Sequence, residues 1–197
     1  MTIESAHGES PVSRSSSGID RDAGQGRRHL ALLLIAGVAA TALHAKFNWP
    51  LRMPGHHGLE WMALLVFARC ASSYRWAALA VAIGAAASTS VPVWGFKDPG
   101  LSHALAYLVQ GLALDLLYGA GARVRHRLLA LALFGALAHA MKPPVYWLLL
   151  HSVGGHYGSL TNGLWYPWTS HLMFGFTGAL AGALVWKATQ RWRVRGE

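Results

Sequence analysis

The chain has 197 residues, 53% hydrophobic and 13% charged, with 17 Lys and Arg against 8 Asp and Glu. That is too apolar for an ordinary soluble domain, and the apolar residues come in long blocks, as membrane-spanning helices require. The formal charge of +9 sits at the ends of those blocks rather than on one basic face, which argues against nucleic acid as a partner; the single cysteine, Cys70, excludes a disulfide framework and a cysteine-built metal site.

The expected fold class is all-α: a polytopic membrane helical bundle of six transmembrane helices with cytoplasmic N- and C-termini. It divides into a disordered polar tail (1–28), a six-helix domain (29–190) and a basic tail (191–197). Residues 1–28 are rich in Ser, Gly and charge and have little to bury. They also lack the pattern of a cleaved signal peptide.

A spanning helix needs about 20 mostly apolar residues. The first span is Leu30–Phe47, where Thr41, His44 and Asn48 share one helix face. The second, His56–Ser72, is weaker because it carries Glu60 and Arg69; the alternative is a re-entrant or interfacial segment. In it His56 lies four residues and His57 three from Glu60, so either imidazole can meet the carboxylate, with Trp61 beside it. The third span is Trp76–Phe96. The fourth, Leu101–Gly121, carries a stripe of His103, Tyr107 and Gln110. Asp115, near its inner end, is expected to cap or pair with the basic loop around Arg123 to Arg127.

The fifth span, Leu128–His151, carries His139, Lys142 and Tyr146. Pro143 and Pro144 have no N–H, so the carbonyls of His139 and Ala140 lose their helical donors and the helix is expected to kink. The sixth, Leu164–Trp186, holds Ser170 and His171 near its outer end. Small residues four apart, Ala36 and Ala40, then Ala80, Gly84 and Ser88, then Gly175, Ala179 and Ala183, allow close helix approach, either within the bundle or against a partner. No internal repeat is evident.

Lysine and arginine give the orientation. With the N-terminus inside, only Lys46, Arg52 and Lys97 fall in outer loops and Lys142 within a span; the rest are cytoplasmic. On this topology His44, His56, His57, His103, His139, His151, His156 and His171 share the outer half. Ionisable groups inside a bilayer are costly and point to function. The expected substrate site is His44, Asn48, His57, Glu60, Trp61, His103, Tyr107, Gln110, His139, Lys142, Tyr146 and His171. The outer loops, including Val91–Gly100 and the Gly-rich His151–Pro167, supply lids and aromatic surfaces; Trp49, Trp94, Trp165 and Trp168 also suit an interfacial belt.

Imidazole suits nickel, copper, zinc and haem iron, but no HExxH or His-x-His cluster occurs. No cofactor of its own is expected; metal or haem is an option without a specific motif. The chain has no GxSxG and no P-loop, and no enzymatic role is expected.

PGHHGLEWMALLVFAR and DPGLSHALAYLVQGLALDLL, with the six-span plan over residues 29–190, resemble the substrate-binding S-components of energy-coupling factor (ECF) transporters. The resemblance implies a multi-pass protein of the bacterial cytoplasmic (inner) membrane. Such a protein captures a small vitamin-like molecule or metal from outside and docks on a membrane coupling subunit driven by two ATPases. Ala36 and Ala40 match the small-residue docking spacing of that family. Its nickel and cobalt members begin Met-x-His, whereas this chain begins Met1-Thr2-Ile3. The alternatives are a histidine-rich membrane redox, haem- or metal-binding protein, or a membrane assembly factor.

Overall fold

The structure, a computed structural model, describes residues 16–46, 53–89, 101–121, 126–153, 160 and 163–195. Among them the elements are α1 (Ser16–Lys46), α2 (Gly58–Ala71), α3 (Ala77–Thr89), α4 (Leu101–Ala120), α5 (Arg127–Ala140), α6 (Lys142–Val153) and α7 (Trp165–Arg195), with no strand. Asn48, Trp49, Trp94, His156, the Val91–Gly100 loop and part of the His151–Pro167 loop lie outside the described residues.

Among the described residues four segments are long and apolar enough to cross a membrane: Gln25–His44, Leu101–Ala120, Arg127–Ser152 and Trp165–Trp192. In the other two expected spans the described residues form shorter helices, 14 residues in α2 and 13 in α3, and residues 90–96 of the third lie outside the described residues. At 1.5 Å per residue these helices cover roughly 20 Å, less than the ~30 Å hydrocarbon layer. The first helix starts at Ser16, inside the stretch expected to be a disordered tail. The double proline acts as expected, breaking the path between α5 and α6 at Met141. Met141 N–H closes onto Ala138 O (3.3 Å), and Val145 N–H onto Met141 O (3.2 Å).

On α5 the large apolar side chains point outward and the small ones inward. Leu129, Leu133 and Leu137, four apart on α5, are exposed, as are Leu112 and Leu116 on α4, while Ala132, Ala136, Ala138 and Ala140 are buried. Water would disfavour such a leucine surface, whereas lipid accepts it. The chain is a membrane-embedded helical bundle.

Small residues set the helix crossings. A Cβ on Gly84 (α3) would run into the Leu34 carbonyl oxygen of α1, and one on Gly37 (α1) into the Val81 carbonyl oxygen. Thr41 and Ser88 hydroxyls share a 2.5 Å hydrogen bond across the same contact. On α7, Gly178 and Gly182 lie against the α2 backbone at Gly58, Leu59 and Ala63, while Gly175 and Ala179 meet Gly135 and His139 of α5. Gly84, Gly175 and Ala179 therefore pack inside the bundle.

The ends rich in arginine lie together. His29 Nε2 is 2.6 Å from Ser72 Oγ, joining the start of α1 to the end of α2. A cavity of about 630 Å³ touches Cys70, Tyr118, Arg127 and Lys187, so the ends of α2 and α4, the start of α5 and the end of α7 meet there. Asp115, expected to cap or pair with the basic loop around Arg123 to Arg127, of which residues 123–125 lie outside the described residues, is held by other partners. Its carboxylate accepts from the Ala78 (3.3 Å) and Leu79 (2.8 Å) amides at the start of α3 and pairs with Arg69 Nε at 3.0 Å. The physical reason is geometric: the first amides of α3 have no helical acceptor, and α4 presents Asp115 directly to them.

Candidate functional site

At the end of the bundle opposite the arginines, the turn 53–57 leads into α2 and is held by side chains from two other helices. Ser170 of α7 donates to Pro54 O (2.5 Å), and His139 Nε2 lies 3.2 Å from Gly55 O. Gly55 has φ +78°, and a Cβ there would press on the His171 ring, so both the backbone and the space require glycine. Gly58, one turn on, leaves room for the His139 ring. His56 and His57 are thereby fixed at the start of α2, their ring centroids 3.6 Å apart. His56 Nδ1 is 2.6 Å from Met53 O.

His139 is buried and uses both ring nitrogens. A carbonyl only accepts, so a neutral ring carries its hydrogen on Nε2 toward Gly55 O. Nδ1, 3.0 Å from the Gln110 side-chain amide, then accepts, with the Gln110 amide turned so that its NH₂ donates. Both residues are thus tied into the scaffold as well as facing the cavity beside them.

That cavity, of about 780 Å³, lies between α1 and α7 above α2. It is within the range of small-molecule sites. His44, His57, Glu60, Trp61, His103, Tyr107, Gln110, His139 and Lys142 all line it. Helices α1, α2, α4, α5 and α6 each contribute. From His44 to Ala36 on α1, and from His57 to Phe67 on α2, it extends roughly 12–15 Å along the helix axes. Its deep part is apolar, lined by Ala63, Leu64, Phe67, Gly182 and Val185. The cavity therefore has a polar head and an apolar body.

Glu60 is the centre of the polar head. Its Oε1 is 2.7 Å from His44 Nδ1 and 3.8 Å from His57 Nδ1. The two imidazoles meet edge to face with centroids 3.7 Å apart. His57 Nδ1 and Trp61 Nε1 are buried without a hydrogen-bond partner among the described residues. The Trp61 ring packs on Tyr107 at 4.7 Å.

Other expected site residues fall elsewhere. His171 does not line the cavity among the described residues; it sits behind His139 with ring centroids 4.8 Å apart, and its Nδ1 is engaged 2.7 Å from Pro167 O within its own helix. Tyr146 likewise stands behind the wall, 5.6 Å from the His103 ring and 5.5 Å from Lys142 Nζ. His151 bonds back to Trp147 O (2.7 Å). Ala36 and Ala40, expected to dock a partner subunit, line the cavity, while Gly37 and Thr41 are the residues of α1 turned to α3. Phe67, Gly182 and Val185 carry no sequence signal that sets them apart from ordinary packing residues.

Among the described residues, three His, Cys, Asp or Glu side chains converge closely enough to hold a metal ion: His44, His57 and Glu60, whose ligand atoms all lie within 4.8 Å of one another. No protein-family model, curated protein or solved structure matches this chain.

Proposed function

We propose that the chain is the substrate-capture subunit of an ATP-driven importer of the energy-coupling factor type. On this reading it binds its substrate from the outer face of a bacterial cytoplasmic membrane. Six spans cross the bilayer on this reading, α2 and α3 being the short ones, with both termini and most of the arginines in the cytoplasm. The observation that carries it is the cavity: polar side chains from five helices converge at the end of the bundle away from the arginines. A bilayer strongly disfavours such a group of polar residues without a ligand or pathway to serve. The polar head and apolar body suit a small molecule with a hydrogen-bonding or metal-ligating group and an apolar remainder.

The chain carries no P-loop, so import energy comes from a partner. The test is affinity purification of the tagged protein from its own host in mild detergent, with co-purifying proteins identified. A membrane coupling subunit with ATPases is expected. Recovery of redox or assembly proteins without them would overturn the importer reading.

A further inference from the structure

We propose that His44, His57 and Glu60 form a binding site for one divalent transition-metal ion, with its open coordination positions facing the cavity. This rests on the reading of the cavity as a ligand site and deepens it by naming a metal; it does not depend on import.

The donor set suits such an ion: two imidazole nitrogens and one carboxylate oxygen are borderline ligands of the kind zinc, cobalt and nickel take. The spacing suits it too. With metal–ligand bonds of about 2.0–2.2 Å, neighbouring ligand atoms in a tetrahedral shell lie roughly 3.3 Å apart. The observed separations from Glu60 Oε1, 2.7 Å to His44 Nδ1 and 3.8 Å to His57 Nδ1, fall on either side of that value. All three ligand atoms lie within 4.8 Å of one another, so shifts on the order of an ångström would bring them onto one ion.

The three donors come from two helices, α1 and the start of α2, whose relation the surrounding packing determines. Gly37 and Gly84 fix α1 on α3, and the Ser170 and His139 bonds to Pro54 and Gly55 fix the entry to α2. His57 Nδ1 is buried, makes no hydrogen bond among the described residues and has Glu60 Oε1 3.8 Å away, so it is a ligand atom that packing does not already engage in a hydrogen bond. By contrast, both nitrogens of His139 are engaged and His171 Nδ1 is bonded to its own helix, so that neighbouring pair is scaffold rather than ligand.

Three protein ligands leave at least one coordination position, and all three residues line the cavity. An incoming ligand can therefore bind the metal directly. Lys142 lines the same space. When protonated it favours an anionic group in the open position, such as a carboxylate.

The test uses the full chain purified in mild detergent and stripped with a chelator, titrated with Co²⁺ alone. Saturation at one ion per chain is expected, with the visible absorption of a low-coordinate cobalt centre and its displacement by Zn²⁺. Glu60→Gln retains size and a hydrogen bond to His44 while losing the charge, so it separates ligation from folding. Glu60→Gln, His44→Ala and His57→Ala should each weaken binding by more than the roughly 10–100-fold caused by losing an outer partner of a metal ligand. His126→Ala and His151→Ala, which lie outside the cavity, should bind like the parent. Failure of the parent chain to take up Co²⁺ saturably, or unchanged binding by folded Glu60→Gln, would overturn the site. Metal uptake without a coupling subunit in the purification would sink import alone; a coupling subunit without metal uptake would sink the metal site alone.

Discussion

Replacing Asp115 with alanine should be among the most damaging single changes in the bundle, although Asp115 is remote from the cavity. Asp115 is 5% exposed; it accepts from the Ala78 and Leu79 amides at 3.3 and 2.8 Å and forms an ion pair with Arg69, whose Nε is 3.0 Å away. Arg69 is held in turn by bonds to Ser72 O (3.2 Å) and Tyr74 O (3.3 Å) and lies 4.0 Å over the Tyr118 ring. One carboxylate thus ties together the end of α2, the start of α3 and the end of α4. Alanine would leave a buried guanidinium without its counter-charge, a loss of about 3–5 kcal/mol for broken buried pairs. The orphaned amides overlap with that figure rather than adding fully, since each alone costs about 1–3 kcal/mol. Against a total stability of roughly 5–15 kcal/mol, this is a large fraction. Asp115→Asn keeps an acceptor for one amide and should lose less. The double change Arg69→Met with Asp115→Leu removes both charges and should regain much of the loss. Thermal or SDS-induced unfolding in detergent, followed by the tryptophan fluorescence, measures this. A loss below about 1 kcal/mol for Asp115→Ala would refute the reasoning, because it would mean the pair is solvated rather than buried.

Gly84→Ala would drive a methyl group into the Leu34 carbonyl, forcing α1 off α3 at a cost of about 1–3 kcal/mol; engineered cysteine cross-links between the two helices should form more slowly, and unchanged cross-linking would contradict the packing. Gly55→Ala combines a positive φ of 78° with a clash at His171 and should destabilise by more than about 1 kcal/mol. Because it moves the turn bearing His57, it should also weaken Co²⁺ binding, and a variant with both properties intact would count against the clamp on that turn. The purified chain should show no haem Soret band; a stoichiometric one would replace the importer reading with a redox one.

Much of the fold was legible because helix periodicity and bilayer thickness act on local sequence. The blocks around Leu30, Leu101, Leu128 and Leu164 announce segments long enough to cross a membrane, and the four segments found agree with them. Pro143 and Pro144 announce a break, and the helix does break at Met141. The Glu60 pairing with His57 was legible from three-residue spacing on one helix turn. Its shorter partner, His44, 16 residues away on another helix, was placed in the site by sequence only as one member of a separate stripe.

Periodicity gives each helix a rotational phase but says nothing of which helices become neighbours. That is why tertiary structure alone decided that Asp115 meets Arg69, that Ala36 and Ala40 face the cavity, and that His171 stands behind His139. Glycines at positions 37, 84, 178 and 182 let backbones touch, and those contacts select the neighbours. Sequence by itself determined the membrane class, four of the spanning segments and the polar stripes, since these follow from local transfer free energy and helix geometry. The three-dimensional packing decided which stripes share one cavity, because close backbone approach is a property of two helices together.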